Sequence, residues 1–298
     1  MLLDCVIIGG GPSGLNAALV LARAKKKIIL FDENKPRNAV THESHGFITR
    51  DGIKPSEFKR IAKLDLAKYP NLSVENQRVI DIKKENESFI IYTDDGSSYR
   101  SSKVILATGL QDVLPEIAGI HEFYGTSLFI CPFCDGWELK DRRLVVIAEN
   151  DRAIHLTKMV SNWSSDLVVC TNGKQVFSEE EKQLLENKNI KIVENEIEAL
   201  HGEKGYLQKV KFINGMEIER EGGFVVSELK QASSLAESLG CSITEMGGIE
   251  TDDLGRTNID GIYASGDTTF SMPQLIVAAS EGSKVAAGVV SDLINEDF

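Results

Sequence analysis

The sequence predicts an α/β fold made of two related domains of the nucleotide-binding type. Its 298 residues are enough for two domains of about 100–200 residues each. Near the start, an apolar strand runs directly into a glycine-rich turn and then a helix, within residues 4–24. The order and spacing of elements in residues 1–109 recur in residues 141–240, which favours two copies of one architecture.

The N-terminal motif is a strand (residues 4–8), a G-x-G-x-x-G turn, a helix, a second strand and then Asp32. Gly9 permits the tight turn, Gly11 lets a pyrophosphate approach the backbone, and Gly14 lets the helix pack on the strand. The helix N-terminus stabilises phosphate charge, and a carboxylate at Asp32 can accept hydrogen bonds from a ribose diol. We therefore predict dinucleotide binding here.

The remaining elements follow the same alternation in each half of the chain. Residues 34–52 form a polar loop, and residues 110–119 are predicted to cross between the domains. His42 and His45, in that loop, are assigned structural rather than catalytic roles. The predicted strands and helices are strands 27–31, 74–83, 88–93, 98–107, 143–147, 166–170, 190–199, 206–213, 216–220, 224–226 and 261–264, and helices 15–24, 52–69, 151–162, 179–187 and 274–295.

Composition and charge exclude several function classes. The net charge is −12, which disfavours nucleic acid as a partner because phosphate binding needs an excess of Lys and Arg. No apolar run approaches 18 residues, so no membrane span is expected. The first eight residues lack a basic region and are expected to be a core strand rather than a signal peptide.

Cysteine usage predicts a reducing compartment, and we expect the cytoplasm. The five cysteines are an odd number, and only Cys131 and Cys134 lie close in sequence, unlike a secreted disulfide framework. Cys5, Cys170 and Cys241 adjoin apolar strands or a glycine, so we predict that they are buried small hydrophobic residues.

The stretch Cys131-Pro132-Phe133-Cys134-Asp135-Gly136 predicts disulfide chemistry. A thiolate attacks a disulfide, a second cysteine resolves the mixed disulfide, and an adjacent acid moves the proton. A structural zinc site would need a further ligand pair, and none is present. A thioredoxin fold and an inert core pair are further alternatives. For Phe133 and Trp137, packing is favoured over substrate contact.

Four motifs together resemble the low-molecular-weight thioredoxin reductase family of FAD-dependent pyridine nucleotide-disulfide oxidoreductases. They are the N-terminal glycine motif with Asp32, the Ala-Thr-Gly turn at 107–109, the C-x-x-C-D-G at 131–136 and the Gly-Ile-Tyr-Ala-Ser-Gly-Asp run at 261–267. Their order and spacing span nearly the whole chain.

The resemblance implies two Rossmann-like three-layer (ββα) domains, the second inserted in the first. The FAD domain would comprise residues 1–112 and 244–298, and the inserted domain, residues 113–243, would carry the disulfide. A homodimer and a thioredoxin-like protein or small disulfide or dithiol substrate are also implied, with no nucleic acid, membrane or metal.

The resemblance also implies individual roles. Asp267 would hold the ribityl–phosphate region of the flavin, and the backbone N–H of Gln274 would lie near the isoalloxazine. Cys134 would exchange electrons with the flavin, Cys131 would attack the substrate disulfide, and Asp135 would protonate the leaving thiolate. The full set of expected FAD contacts is Gly9, Gly11, Pro12, Ser13, Gly14, Asp32, Thr108, Gly109, Gly266, Asp267 and Gln274.

The second domain departs from the family pattern in three places. The turn after the strand at 143–147 reads Ala-Glu-Asn-Asp-Arg-Ala and has no glycine. The expected basic cluster for a 2′-phosphate is reduced to Lys174, and a third expected glycine is replaced by Ser227-Glu228. We therefore expect that NADPH does not bind in the usual mode.

Three functions remain open. In the first, a reduced protein such as ferredoxin reduces the FAD, and the enzyme reduces a disulfide. In the second, a substrate dithiol is oxidised, with oxygen as the acceptor, although Asp135 favours reduction over this direction. In the third, NADPH is the donor through an atypical site. A non-enzymatic FAD-binding sensor is disfavoured by the intact cysteine pair.

Overall fold

The computed structural model describes residues 2–298. The chain divides into two compact units. Unit 1 comprises residues 2–39, 46–111 and 230–298, and unit 2 comprises residues 40–45 and 112–229. The predicted domain boundaries at 112/113 and 243/244 stay a prediction.

Strands outnumber helices throughout the chain. The first half contains β1 (Leu2–Ile8), α1 (Pro12–Arg23), β2 (Ile28–Phe31), α2 (Pro55–Leu66), β3 (Leu72–Glu75), β4 (Val79–Glu85), β5 (Ser88–Thr93), β6 (Ser98–Leu106), β7 (Leu110–Val113), α3 (Ile120–Phe123), β8 (Leu128–Phe129) and α4 (Pro132–Asp135). The second half contains β9 (Leu144–Ile147), α5 (Arg152–Val160), β10 (Leu167–Cys170), α6 (Glu179–Glu186), β11 (Lys191–Val193), β12 (Ile197–Glu203), β13 (Tyr206–Phe212), β14 (Glu217–Glu219), β15 (Gly222–Val225), β16 (Glu228–Gln231), α7 (Leu235–Leu239), β17 (Ile262–Ala264) and α8 (Leu275–Asp297).

Unit 1 is built on a seven-stranded mixed sheet of order β3-β2-β1-β6-β5-β4, with β17 also paired to β6. β1, β2, β3, β6 and β17 run parallel, whereas β4 and β5 form an antiparallel continuation. Alternate residues of β1 enter different apolar clusters, Cys5 and Ile7 in one and Val6 and Ile8 in the other. Both faces of the sheet are therefore covered, as in three-layer α/β domains.

Helices α1 and α8 pack closely on one face of this sheet. A Cβ on Gly282 of α8 would lie 2.2 Å from the carbonyl oxygen of Ser13 in α1, so only glycine fits at this crossing. Asn16 of α1 donates to the carbonyl oxygen of Ala279 and to the hydroxyl of Ser283, both at 2.6 Å. The C-terminal helix thus fixes the start of α1.

Unit 2 repeats the parallel core. A five-stranded all-parallel sheet has the order β11-β10-β9-β15-β8, and β12, β13 and β14 form a separate antiparallel sheet. The mixed α/β architecture with parallel sheets confirms the predicted fold class. Within residues 2–298, no helix has the length and apolar character to cross a membrane.

Two predicted strands were wrong in the same way. The run 74–83 is two strands, because β3 pairs with β2 at one edge of the sheet and β4 pairs with β5 at the other. The run 190–199 divides likewise into β11 and β12, which belong to different sheets. A continuous alternation of apolar and polar residues hides such a break. The short elements β7, α3, β8, α4, β16 and α7 were not predicted.

Candidate functional site

Several motifs predicted from the sequence meet at one edge of the unit 1 sheet. β1 pairs in parallel with β2 and β6, and β17 pairs in parallel with β6, with Ile8 opposite Phe31 and Leu106. Their carboxyl ends therefore lie side by side, followed by Gly9, Asp32 and the 107–109 turn. In open α/β sheets, this edge is where ligands bind.

The glycine loop has the geometry that a phosphate group requires. Gly9 has φ +114°, and a Cβ there would lie 2.0 Å from the carbonyl oxygen of Ala107. A Cβ on Gly14 would lie 1.9 Å from the carbonyl oxygen of Gly9, so the helix rests directly on the strand. Gly11 caps α1 and faces open space, with no atom within 4 Å of its would-be Cβ and no acidic residue in the first turn of the helix. Because the first turn of α1 has no acidic residue, a phosphate could approach the helix N-terminus without an opposing charge, and Pro12 at the first position suits the start of a helix.

The other predicted contact residues of unit 1 are held near this loop. The Ser13 and Ser265 hydroxyls lie 2.6 Å apart, and those of Thr108 and Thr268 lie 3.2 Å apart. Gly266 has φ +80°, and its N–H donates to the carboxylate of Glu281 at 2.8 Å. Gly109 has φ +70°. The Asp267 carboxylate forms an ion pair with Arg37 at 3.3 Å.

Gln274 is the N-cap residue of α8, in an extended conformation. Its N–H donates to the carbonyl oxygen of Met272 at 2.8 Å. The N–H group that the resemblance assigns to the flavin is thus engaged within the chain, and this role stays a prediction.

Asp32 is buried at the end of β2 and pairs with a buried lysine. Lys59 Nζ donates to Oδ1 at 2.8 Å, and the N–H of Asn34 donates to the same oxygen at 3.0 Å. Burial alone would raise the pKa of Asp32, but the hydrogen bond and charge of Lys59 outweigh burial, so that the pKa lies below its usual range. A Cβ on Gly10 would lie 2.3 Å from Asp32 Cγ, which brings the carboxylate against the glycine loop.

These residues fit the dinucleotide that the motif predicts. The loop offers open space at the helix N-terminus, and Asp32 stays ionised beside it. Its Oδ2 atom is buried and lies 2.7 Å from the same Lys59 ammonium. Sequence reasoning missed Gly10 and Lys59. The extra glycine in Gly9-Gly10-Gly11 could have signalled the first, but no sequence signal pointed to the second.

In unit 2, Cys131 and Cys134 form a disulfide, with Cα atoms 5.3 Å apart. Cys131 precedes the single turn α4, and its carbonyl oxygen accepts from the N–H groups of Cys134 and Asp135 at 3.1 and 3.2 Å. Pro132 begins this turn and needs no partner for a backbone N–H. The turn places both sulfur atoms and the acid within five consecutive residues.

Asp135 carries the most informative shift in acidity. Burial, and secondarily the negative charge of Glu138, raise its pKa to about 7, while the charge of His45 acts in the opposite direction. His45 Nε2 lies 3.6 Å from Glu138 Oε1. Asp135 can therefore hold or release a proton near neutral pH.

His45 belongs to the segment 40–45, which packs against the rest of unit 2 although it precedes that unit by many residues in sequence. A Cβ on Gly125 would lie 2.3 Å from the carbonyl oxygen of Val40, so the segment and the unit are in close contact. The proximity of His45 to Glu138 could not be predicted, because the two residues are far apart in sequence. His45 was predicted to be a structural loop residue, without an effect on Asp135. His42 is exposed.

Aromatic side chains flank the disulfide. Phe133 contacts Trp163 edge to face, with ring centroids 5.8 Å apart, yet it is 58% exposed. Trp137 is 68% exposed, and Lys140 Nζ lies 3.5 Å from its ring centroid. Packing therefore buries only part of the Phe133 and Trp137 rings, and the rest of their apolar surface is exposed to solvent near the disulfide.

The other three cysteines are buried, as predicted. Burial raises the pKa of the Cys170 thiol to about 12, and it raises the pKa values of Cys5 and Cys241 as well. These thiols are therefore poor nucleophiles at neutral pH. Within residues 2–298, no group of three or more His, Cys, Asp or Glu side chains is arranged to hold a metal ion.

The corresponding ligand edge of unit 2 is filled by its own side chains. The strand order reverses at β9 and β15, and Arg152, after β9, donates to the carbonyl oxygen of Ser227, after β15, at 2.6 Å. Glu149 accepts from the amide of Asn172 at 2.5 Å, and Asn172 in turn accepts from the N–H of Ile197 at 2.8 Å. We call the space between the ends of β9 and β15 the second crevice. The hydrogen bond from Arg152 to Ser227 spans this crevice, and the Glu149 carboxylate lies beside it.

Comparisons with known proteins agree with the site. The profile of the pyridine nucleotide-disulphide oxidoreductase family matches residues 3–282. A protein of Aspergillus oryzae named thioredoxin reductase aclD is 29% identical over 98% of this chain and 96% of its own length. A thioredoxin reductase of Helicobacter pylori is 27% identical over 98% and 99%. The crystal structure of a candidate thioredoxin reductase, TrxB, from Bacillus anthracis is 48% identical, covers 99% of this chain and 100% of that one, and has a TM-score of 0.96.

Proposed function

Because the chain belongs to the pyridine nucleotide-disulphide oxidoreductase family and is a thioredoxin reductase-like FAD oxidoreductase, we propose that it reduces disulfides through Cys131 and Cys134 with a donor other than NADPH. The observation that carries this proposal is the contrast between the disulfide with its acid and the bridged second crevice. The donor we propose is a reduced protein such as ferredoxin, and the substrate is a thioredoxin-like protein or a small disulfide.

Unit 1 supplies the residues that would hold FAD. Gly9, Gly11 and Gly14 would hold the pyrophosphate at the start of α1, and Asp32 would bind the adenosine ribose. Neighbouring contacts come from five further residues: Pro12, Ser13, Thr108, Gly109 and Gly266. Asp267 and Gln274 complete the proposed set toward the flavin. When bound, FAD supplies two-electron exchange with a dithiol.

The cysteines then carry out disulfide exchange. In the reduced protein, the Cys131 thiolate attacks one sulfur of the substrate disulfide, which forms a mixed disulfide and expels the other substrate sulfur as a thiolate. The Cys134 thiolate attacks Cys131, which releases the second substrate thiol and restores the protein disulfide. Two electrons and two protons reach the substrate, and Cys134 is the cysteine that we assign to exchange with the cofactor.

Asp135 provides one of those protons. With a pKa of about 7, it is largely protonated in mildly acidic solution and can donate to the leaving thiolate. Glu138 and His45, 3.6 Å apart, act on the proton affinity of Asp135 in opposite directions. These two neighbours can therefore tune the pKa of Asp135 while the cysteine pair stays the same.

The second crevice argues against NADPH as donor. A pyrophosphate at the start of α5 would meet the Glu149 carboxylate, and it would have to displace the Arg152 guanidinium from Ser227. The usual fingerprint instead leaves a glycine backbone open at this position. A 2′-phosphate would find Lys174 as the nearby cation after β10.

We further propose that the protein acts as a homodimer in the cytoplasm.

Steady-state assays with alternative donors test this function. FAD-loaded protein would receive reduced ferredoxin, NADPH or a dithiol, with thioredoxin disulfide or oxygen as the acceptor. The proposal predicts new thiols with ferredoxin and none above background with NADPH. Peroxide formed from dithiol and oxygen, without disulfide reduction, would establish a dithiol oxidase instead. Rapid thiol formation with NADPH would establish a conventional reductase with an atypical site.

A further inference from the structure

A buried ion pair lies behind the glycine loop of unit 1. Lys59, on the second turn of α2, is 9% exposed, and Asp32 is 4% exposed. Besides Asp32, the Lys59 ammonium donates to the side-chain oxygen of Asn34 at 2.9 Å. Removing both charges from water is costly, and their mutual attraction offsets that cost only when the geometry is good and further hydrogen bonds are made.

The two carboxylate oxygens of Asp32 have different surroundings. Oδ1 accepts two hydrogen bonds, from Lys59 and from the N–H of Asn34. Oδ2 is paired with lysine charge, with Lys59 Nζ 2.7 Å away and Lys63 Nζ 3.4 Å away, and no backbone N–H of the described residues donates to it. Oδ1 is thus held by a lysine and a backbone N–H, whereas Oδ2 is held by lysine charge alone and keeps a lone pair for a further donor.

The two lysines also differ in exposure and in their hydrogen bonds. The Lys59 side chain is 11% exposed and is bonded to two acceptors, whereas the Lys63 side chain is 40% exposed. Lys63 is therefore the more solvent-exposed of the two lysines beside Oδ2. Gly10, whose would-be Cβ lies 2.3 Å from Asp32 Cγ, leaves the carboxylate directly beside the loop.

We propose that Lys59 is a positioning residue for the dinucleotide. It holds Asp32 ionised and oriented by lying against both carboxylate oxygens, so that the remaining lone pair of Oδ2 accepts from a ribose hydroxyl of FAD. The inference rests on the proposed FAD site in unit 1. Lys59 acts through Asp32 and makes no contact with the cofactor itself.

The test measures FAD release from the holoprotein, followed by flavin fluorescence from pH 5.5 to 8. Lys59→Met is expected to release FAD at least about tenfold faster than wild type, because a charge-assisted hydrogen bond is lost. The factor should grow as the pH falls, because burial without Lys59 favours protonation of Asp32. Lys59→Arg should stay near wild type, and Lys68→Met, at an exposed position of the same region, should match wild type. Lys59→Gln replaces Lys59→Met if the latter does not fold.

Combining the change with Asp32→Asn separates positioning from simple packing. If Lys59 acts through Asp32, then Lys59→Met adds no further release in the Asp32→Asn background. Equal acceleration in both backgrounds, or wild-type release by Lys59→Met at every pH, would overturn the inference. Wild-type protein that retains no FAD would instead refute the proposed function.

Discussion

The loops that follow β1 and β9 occupy equivalent places in their sheets but have opposite chemistry. The first is Gly-Gly-Gly-Pro-Ser-Gly and leaves open space at the start of α1. The second is Ala-Glu-Asn-Asp-Arg-Ala, and its side chains bond to Asn172 and Ser227. The comparison shows that a parallel sheet can keep its topology while its ligand edge is closed by a few side chains. Unit 2 carries the disulfide, and under the proposed function unit 1 keeps a nucleotide site that unit 2 has lost.

The largest expected effect comes from the cysteines of unit 2. Cys134→Ser should lower disulfide reductase turnover by at least about a thousandfold, because no second thiol resolves the mixed disulfide. Thiol production with reduced ferredoxin measures the loss. The matched control is Cys241→Ser, a buried thiol that should leave turnover unchanged. Full turnover of Cys134→Ser would contradict the role of unit 2 as the disulfide carrier.

Asp135→Asn should reduce turnover by about 10²–10⁴-fold, the usual range for a lost general acid. In wild type, the reductive rate should decline as pH rises through about 7, since Asp135 then loses its proton. This inflection should be absent in Asp135→Asn.

Its neighbours should move the same inflection in opposite directions. His45→Gln should shift it upward, because a positive charge that lowers the pKa of Asp135 is lost, and Glu138→Gln should shift it downward. An inflection that neither variant moves would show that Asp135 is not the group being titrated.

Exchanging one residue between the two loops tests the comparison itself. Gly11→Asn places a side chain in open space, so folding should be kept while FAD affinity falls at least about a hundredfold, near 2.7 kcal/mol. The reciprocal change, Asn150→Gly, should alter neither FAD content nor NADPH reactivity. FAD titration of both variants measures the difference. Wild-type FAD affinity in Gly11→Asn would show that the open space is not a phosphate site.

Opening the second crevice should have the smallest effect. Arg152→Ala removes one hydrogen bond to Ser227, so the free energy of unfolding should fall by about 0.5–1.5 kcal/mol. NADP⁺ binding should change by less than about tenfold, because Glu149 remains and the basic cluster is still missing. Calorimetry on both proteins gives the two values. Tight NADP⁺ binding by Arg152→Ala would mean that one side chain alone had closed the site.

Regular local signals account for what the sequence could predict. The strands at 4–8 and 166–170 are short and apolar, and the helix at 179–187 begins with a Ser178–Glu181 capping box, so these elements lie close to their predicted places. The divided runs at 74–83 and 190–199 could not be seen, since pairing partners and not local pattern set those breaks.

The site was predictable where one motif carried the chemistry. Cys131, Cys134 and Asp135 are adjacent in sequence, and the structure places them on one turn. Lys59 and His45 were beyond reach because each meets its partner through tertiary packing across tens of residues. The Arg152–Ser227 bridge was hidden for the same reason, although the missing glycines pointed to the altered crevice.

One anaerobic measurement tests the central claim most directly. FAD-loaded protein is mixed with stoichiometric NADPH, and separately with a dithiol, while the flavin absorbance is followed. The account predicts that the dithiol bleaches the flavin through Cys131 and Cys134 and that NADPH leaves it oxidised. Rapid and stoichiometric bleaching by NADPH would contradict the claim that the second crevice no longer binds NADPH.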